Sequence, residues 1–154
     1  MNKKKELKYN AWNKHLNNTR ERTNYSIKRM DILVISICGG GIYIIFETLR
    51  EFKTGGIKIE FPVLLILTGV SLLLAIMTNF ISQITGYVAN DTEEKFIYLE
   101  LKKIDGKKID KCEQDAYNKK VTKFNLLTDI FNISSITLMF IGLVLLAIFN
   151  YLLI

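Results

Sequence analysis

Long stretches of this 154-residue sequence lack charged side chains. Residues 61–90 contain no Asp, Glu, Lys or Arg, and two further apolar runs cover 32–46 and 130–154. A bilayer core of about 30 Å requires roughly 20 apolar residues of helix to cross it. Because a soluble fold of this size could not cover three such runs, the sequence predicts a small polytopic membrane protein.

Proline, cysteine and histidine are also scarce. Pro62 is the single proline, so few residues interrupt the predicted helices. Cys38 lies in an apolar run and Cys112 in a Lys-rich segment, and we therefore expect no disulfide between them. The single histidine, His15, belongs to no Cys/His cluster, and no catalytic or phosphate-loop motif occurs. We expect neither an enzyme nor a bound metal or cofactor.

Positive charge is concentrated in two polar segments. Nine basic residues fall in 1–30, three in the connection at 50–58, and nine in 91–125. Because segments rich in Lys and Arg stay in the cytoplasm, this distribution predicts a cytoplasmic N-terminus and an external C-terminus. Eight acidic residues nearly balance the charge of 91–125, whereas 1–30 has only two. The basic excess of the chain therefore belongs to its N-terminal arm (1–30).

The segment order predicts an all-α membrane protein with three transmembrane helices, long helical cytoplasmic extensions and a homo-oligomeric bundle. Turns at Gly55-Gly56 and Asp105-Gly106 would leave helices over roughly 5–50, 60–104 and 107–154. The predicted segments are the basic N-terminal helical arm (1–30), transmembrane helix 1 (31–50), a short external loop (51–60), transmembrane helix 2 (61–90), a cytoplasmic helical hairpin or stalk (91–126) and transmembrane helix 3 (127–154).

Two alternatives remain open for the segment 91–125. The run from Asn90 to Glu93 has the composition of a fresh N-cap, which would break the second helix. A β-hairpin centred on Asp105-Gly106 is the other alternative. In the helical interpretation, the apolar side chains before this turn pack against those after it. These are Phe96, Leu99 and Ile104 on one side and Ile109, Cys112, Ala116 and Val121 on the other.

Small and polar residues recur at helical spacing in each membrane segment, and such stripes can be packing seams or the lining of a water-filled path. The stripe of the second helix is Thr68, Ser71, Ala75, Asn79, Ser82 and Gly86. The stripe of the third is Thr128, Asn132, Ser135, Met139 and Gly142. The first helix contributes Ser36, Gly40, Tyr43 and Glu47, which we predict to line a pore.

Glu47 is the reason for choosing the first helix. A carboxylate within a membrane segment is costly when it faces lipid, so it should face protein or water. A pair with Arg50 at i, i+3 would explain it simply. A ring of Glu47 side chains at a pore mouth would instead select ions. Because three helices are too few to enclose a channel, the pore interpretation requires a homo-oligomer in the bilayer.

The N-terminal arm interleaves basic and aromatic residues. Such a pattern can bind phosphates and stack bases, and we predict a ligand site there. Its residues are Lys4, Lys5, Lys8, Trp12, Lys14, Arg20 and Arg22. Anionic lipid headgroups are an alternative partner, and a pure topology signal is another.

Three features of the sequence resemble the SLATT group. They are the arm from Leu7 to His15 with its tryptophan, the basic residues that follow it, and a first membrane helix that ends in Gly41–Ile45. These are small bacterial membrane effectors of nucleotide-linked anti-phage defence. The Hailong-type channel effectors, whose partner is a nucleotidyltransferase, are similar in size and layout. The resemblance covers roughly 7–50 and the general plan of the rest, while a third membrane helix departs from the SLATT plan of two.

The resemblance implies an oligomeric pore of the bacterial inner membrane that depolarises or permeabilises it. It also implies control by a nucleotidyltransferase product, a nucleotide or short single-stranded DNA. A holin- or toxin-like pore without ligand control and a non-conducting membrane adaptor are the alternatives.

Overall fold

Three long α-helices form the part of the chain that the computed structural model describes, residues 3–56 and 62–153. They are α1 (Lys3–Lys53), α2 (Pro62–Ile104) and α3 (Lys111–Leu153). At 3, 5, 23–24, 26–31 and 153 the description covers the backbone alone. Across the described ranges there is no strand, and the predicted all-α fold is confirmed.

All three helices are long and apolar enough to cross a membrane. The candidate spans are Ile32–Lys53, Pro62–Ile104 and Lys111–Leu152. Only 22%, 33% and 22% of their most apolar windows are buried within the chain. Most of this apolar surface therefore requires lipid or further protein around it. The prediction of a membrane protein with three spanning helices agrees with these lengths and compositions.

Both turns between helices use glycine in the left-handed conformation. Gly55 has φ of +79° and Gly106 has φ of +82°, which other residues rarely adopt. After α1, the Gly56 amide donates to the Glu51 carbonyl at 2.9 Å, and the Gly55 amide donates to that of Phe52 at 3.1 Å. After α2, Gly106 and Lys107 repeat the pattern. These are Schellman motifs, which satisfy the last carbonyls of each helix.

The starts of α2 and α3 are set by different residues. Pro62 is the first residue of α2, where its missing N–H costs no helical hydrogen bond. Asp110 caps α3, because its Oδ1 accepts from the Cys112 amide at 2.8 Å. The helix therefore begins at Lys111 instead of the predicted 107. Of the predicted loop 51–60, residues 57–60 lie outside the described part of the chain.

The proposed break at Asn90 and the β-hairpin are both wrong. α2 continues through this region to Ile104. Thr92 does not cap a new helix, because its buried hydroxyl donates back to the Val88 carbonyl at 2.7 Å. Both sides of the Asp105-Gly106 turn are helical, so the turn ends a helix and does not join strands.

The chain divides into two compact units, and each has its own core. The apolar unit comprises Arg29–Ile81 and Ile130–Ile154. Its core includes Cys38 of α1, Leu72 of α2 and Met139 of α3. A Cβ on Gly41 would lie 2.7 Å from Leu72 Cδ1, and one on Gly142 would lie 2.5 Å from Leu72 Cδ2. Leu72 therefore fills a space that two glycines leave open.

The polar unit comprises Met1–Lys28 and Ser82–Asp129. Its core joins Leu16 of α1 to Ile97 and Leu101 of α2, with Trp12 and Phe96 packed against them. The predicted contact across the second turn is partly wrong, since Cys112 and Ala116 are exposed. Phe96, for which the sequence predicted partners on α3, packs instead with Trp12 of α1.

Candidate functional site

The predicted pore-lining residues lie on the side of α1 that faces away from the core. Ser36, Gly40 and Tyr43 are exposed, Tyr43 by 64%. The buried side of the same helix carries Val34, Cys38, Gly41 and Ile45. With 3.6 residues per turn, the two sets point in nearly opposite directions. Neither α2 nor α3 covers this outward face of α1 (Ser36, Gly40, Tyr43 and Glu47) within the apolar unit.

Glu47 pairs with Arg50, as the simpler of the two explanations for this carboxylate requires. The Arg50 guanidinium Nη1 lies 3.6 Å from Glu47 Oε1, one helical turn away. Their side chains are 76% and 41% exposed, respectively. The pair therefore remains on the surface of the chain, and each side chain stays accessible to water, lipid or a second copy.

The polar stripe of α2 is a packing seam in the apolar unit. Ser71 Oγ donates to the Leu138 carbonyl at 2.8 Å, and Ser135 Oγ donates to the Ala75 carbonyl at 2.8 Å. Thr68 is buried and donates to the Leu64 carbonyl of its own helix. These hydroxyls satisfy backbone carbonyls and line no open space along this stretch.

The seam has the same character in the polar unit. Ser82 Oγ donates to the Thr128 carbonyl at 3.0 Å, and Thr128 Oγ1 donates to Thr85 Oγ1 at 2.9 Å. A Cβ on Gly86 would lie 3.4 Å from Thr128 Cγ2, so the helices approach closely there. For the second and third helices the packing interpretation of the stripes is therefore correct.

The predicted ligand-binding tryptophan is engaged within the polar unit. Trp12 is half-buried and meets Phe96 edge-to-face, with ring centroids 6.0 Å apart. Its ring also lies 5.7 Å from that of His15. Edge-to-face contacts of this kind stabilise the packing of aromatic side chains. This contact holds the indole against α2.

Both predicted ligand-binding arginines contact carboxylates of α2. Arg20 donates to Glu94, and this hydrogen bond raises the pKa of the guanidinium above its ordinary value. Arg22 Nη2 lies 3.9 Å from Glu93 Oε2 and also donates to Thr19. His15 Nε2 lies 3.0 Å from Glu93 Oε1. The partners of Glu93 and Glu94 could not be predicted from the sequence, because contacts between helices depend on their mutual register.

The predicted lysines occupy a different part of the arm. Lys4, Lys8 and Lys14 are exposed, whereas the side chain of Lys5 lies outside the described residues. Lys8 and Lys14 take no part in the contacts of Arg20 and Arg22 with Glu94 and Glu93. Among the described side chains, the predicted set therefore divides into residues that contact α2 and exposed lysines.

An open groove of about 620 Å³ runs along α1 in the polar unit. Its lining residues are His15, Asn18, Glu21, Arg22 and Tyr25. These residues recur at helical spacing, but their chemistry differs, so the sequence alone does not mark them as one group. The groove thus exposes one carboxylate, Glu21, and one guanidinium, Arg22, along the same side of α1.

A buried carboxylate joins α2 to α3 in the polar unit. The Gln114 amide donates to Glu100 Oε1, and Lys103 Nζ lies 3.5 Å from the same oxygen. Both Glu100 and Gln114 are buried, so each supplies the partner that the other needs. Neither residue was identified from the sequence, because Glu100 lies in an otherwise ordinary charged segment.

The described residues contain no group of three or more His, Cys, Asp or Glu able to hold a metal ion. Three helices long and apolar enough to span a membrane, with an exposed face of α1 that carries Glu47, are compatible with a small α-helical membrane protein. No protein-family model matches the sequence, and comparisons with curated proteins and with solved structures find no match. The assignment of a function therefore rests on the side chains themselves.

Proposed function

We propose that this chain is the subunit of a homo-oligomeric ion channel in the bacterial inner membrane. The observation that carries the proposal is the outward face of α1. It holds Glu47 and Arg50 at one end of an apolar span and leaves both side chains accessible. Because ionised groups are costly against lipid, a second copy or a water-filled path is the more favourable neighbour.

The α2–α3 seam supports the same proposal by elimination. Its serine hydroxyls are occupied by carbonyls of the facing helix, so it offers no polar lining for ions. Three helices cannot enclose a channel by themselves, and the face of α1 that carries Glu47 is left uncovered by α2 and α3 in the apolar unit. Several copies with this face turned inward would surround a path lined by Ser36, Gly40, Tyr43 and Glu47.

The orientation that we propose follows the basic residues. The N-terminal arm and 91–126 would lie in the cytoplasm, and the C-terminus outside. Reporter fusions after Lys4, Gly56, Gly106 and Ile154 should then read inside, outside, inside and outside. An inside reading at Ile154 would overturn the three-crossing topology.

The proposed biological role is anti-phage defence, in which opening of the channel depolarises or permeabilises the membrane of the infected cell. A nucleotide or short single-stranded DNA made by a partner nucleotidyltransferase would control it through the N-terminal arm. The resemblance of the arm supports this role. The exposed lysines Lys8 and Lys14 support an anionic ligand, since each neutralised phosphate releases counterions.

Ion flux from liposomes tests the channel directly. Gly40→Leu should abolish flux, because a branched side chain would fill a narrow level of the path. Gly39→Leu is the matched control, since Gly39 is equally open in the chain but lies about 100° around the helix. Equal flux through both variants would contradict the proposed lining, and no flux from the wild type would favour a membrane adaptor.

Expression in cells separates a gated channel from a holin-like pore. A ligand-controlled effector should leave growth unchanged until its signal is present. Lysis on expression alone would favour the ligand-independent pore.

A further inference from the structure

Two adjacent carboxylates of α2, Glu93 and Glu94, contact His15, Arg20 and Arg22 of α1. His15 Nε2 lies 3.0 Å from Glu93 Oε1, and Arg22 Nη2 lies 3.9 Å from Glu93 Oε2. Arg20 pairs with Glu94. Asp91, only two residues away, pairs instead with Lys95 of its own helix at 2.7 Å.

Accessibility differs between the two sides of these pairs. The side chains of Glu93 and Glu94 are 18% and 32% exposed, whereas those of Arg20 and Arg22 are 49% and 61% exposed. An anion from solution can therefore reach the guanidinium groups without first displacing the carboxylates into water. Such an anion would offer the arginines the same charge-assisted hydrogen bonds that Glu93 and Glu94 now provide.

We propose that the acidic pair, Glu93 and Glu94, is an internal competitor that occupies the arginines of the N-terminal arm until a phosphate-bearing ligand replaces it. The competition itself goes beyond the proposed function and would operate whether or not the protein conducts ions. Its use as a gate rests on the proposed function.

Apolar contacts also hold the arm against α2, so replacing the ion pairs would change how the arm packs. Leu16 packs with Ile97 and Leu101, and Trp12 packs against Phe96, on the same stretch of α2 that carries the acidic pair. Replacement of the carboxylates would remove the charged contacts that accompany this packing. The arm would then leave α2 more often, and Trp12 would become exposed to solvent. Because Trp12 is the only tryptophan, its fluorescence reports this change without a label.

The first measurement is acrylamide quenching of Trp12 in the full chain, held in nanodiscs of zwitterionic lipid. The variant with Glu93→Gln and Glu94→Gln should expose Trp12, with opening of the arm increased about threefold to tenfold. Asp91→Asn is the matched control, because it removes a neighbouring charge that does not contact α1. Wild-type quenching in the double variant would overturn the proposal, as would equal effects of Asp91→Asn and the double variant.

Charge exchange provides a second test that does not depend on the stability of the double variant. Glu94→Arg alone should expose Trp12, because it would face Arg20. Combining it with Arg20→Glu should restore the pair in reverse and return quenching toward that of the wild type. Absence of any rescue would contradict a direct contact between these two residues and overturn the proposal.

The second measurement is binding of inorganic tripolyphosphate. Removing the internal competitor should lower the half-saturating concentration about threefold to tenfold in the double variant, and not in Asp91→Asn.

Repeating the quenching in nanodiscs with phosphatidylglycerol identifies the source of the phosphate. Exposure of Trp12 by this lipid alone would assign the site to headgroups, and exposure by tripolyphosphate alone would assign it to a soluble ligand. The proposal would be overturned if the double variant bound tripolyphosphate with unchanged affinity and phosphatidylglycerol did not change the quenching of Trp12. No ion flux is measured, so a failure here is distinct from a failure of the channel.

Discussion

Different contacts hold α1 in the two units of the chain. In the polar unit α1 contacts α2 through an apolar cluster around Leu16 and through the ion pairs of Arg22 with Glu93 and of Arg20 with Glu94. In the apolar unit it contributes Cys38 and the open space at Gly41, into which Leu72 fits. Burial of apolar area stabilises packing in water, but lipid is as apolar as leucine. Where lipid surrounds the apolar unit, close fit has to stabilise the packing of α1, which the hydrophobic effect stabilises in the polar unit.

The α2–α3 contact is more uniform than that of α1. Serine and threonine hydroxyls donate across it in both units, at Ser71, Ser135, Ser82 and Thr128. In the polar unit Glu100 and Gln114 add a buried hydrogen bond between the same helices. Helices α2 and α3 thus form a pair along which one kind of contact recurs. The two units therefore differ mainly in how α1 packs. Substitutions in α1 and in the residues that it contacts test this difference.

The largest expected effect is that of Ile97→Ala in the polar unit. Ile97 is fully buried in the cluster with Leu16 and Leu101, and truncation should destabilise the unit by about 2–5 kcal/mol. Thermal unfolding in nanodiscs, followed by Trp12 fluorescence, measures it. Ile84→Ala makes the same chemical change at a side chain that is 64% exposed, and should cost less than about 0.5 kcal/mol. If both variants lost the same stability, the cluster of Leu16, Ile97 and Leu101 would not be what stabilises the polar unit.

The sequence predicted the three helices well, because long apolar runs and glycine turns are local signals. Thr92 shows where local reasoning fails, since N-cap composition cannot reveal that its hydroxyl bonds back to Val88. Glu47 and Arg50 were predictable as a pair because both lie on one helix. The contacts of Arg20 with Glu94 and of His15 with Glu93 were not, because they depend on how α1 and α2 align.

A smaller effect is expected where shape dominates. Gly142→Ala would bring a Cβ within 2.8 Å of Leu72 Cγ, an atom that cannot rotate away as a methyl group can. Overpacking of this kind should cost about 1–3 kcal/mol in the apolar unit. Gly40→Ala is the matched control, because nothing lies within 4 Å of its added Cβ. Unfolding in nanodiscs should show a loss for the first variant alone. Equal stability would mean that Leu72 adapts and that close fit is not what holds this unit.

The serine seam should contribute less again. Ser135→Ala removes one hydrogen bond to the Ala75 carbonyl, and such bonds in membranes average about 0.6 kcal/mol. Ser36→Ala makes the same change at an exposed position and should leave stability unchanged. A double-mutant cycle of Ser135→Ala with Ser71→Ala measures whether the two bonds act independently. A cost for Ser135→Ala above about 2 kcal/mol would show that the α2–α3 seam, rather than the fit around Leu72, dominates the apolar unit.

The smallest change in stability is expected for Glu47→Gln. Loss of an exposed i, i+3 pair costs only about 0.2–0.5 kcal/mol, so the subunits should still assemble. Ion flux should respond much more strongly, with cation selectivity reduced, because a carboxylate ring attracts cations and an amide does not. Arg50→Gln loses the same pair and is the matched control. If Glu47 acts only through Arg50, the two variants will behave alike in liposomes. If Glu47 lines the path, Glu47→Gln alone will lose cation selectivity. Wild-type selectivity in both would place the ion path away from the outward face of α1.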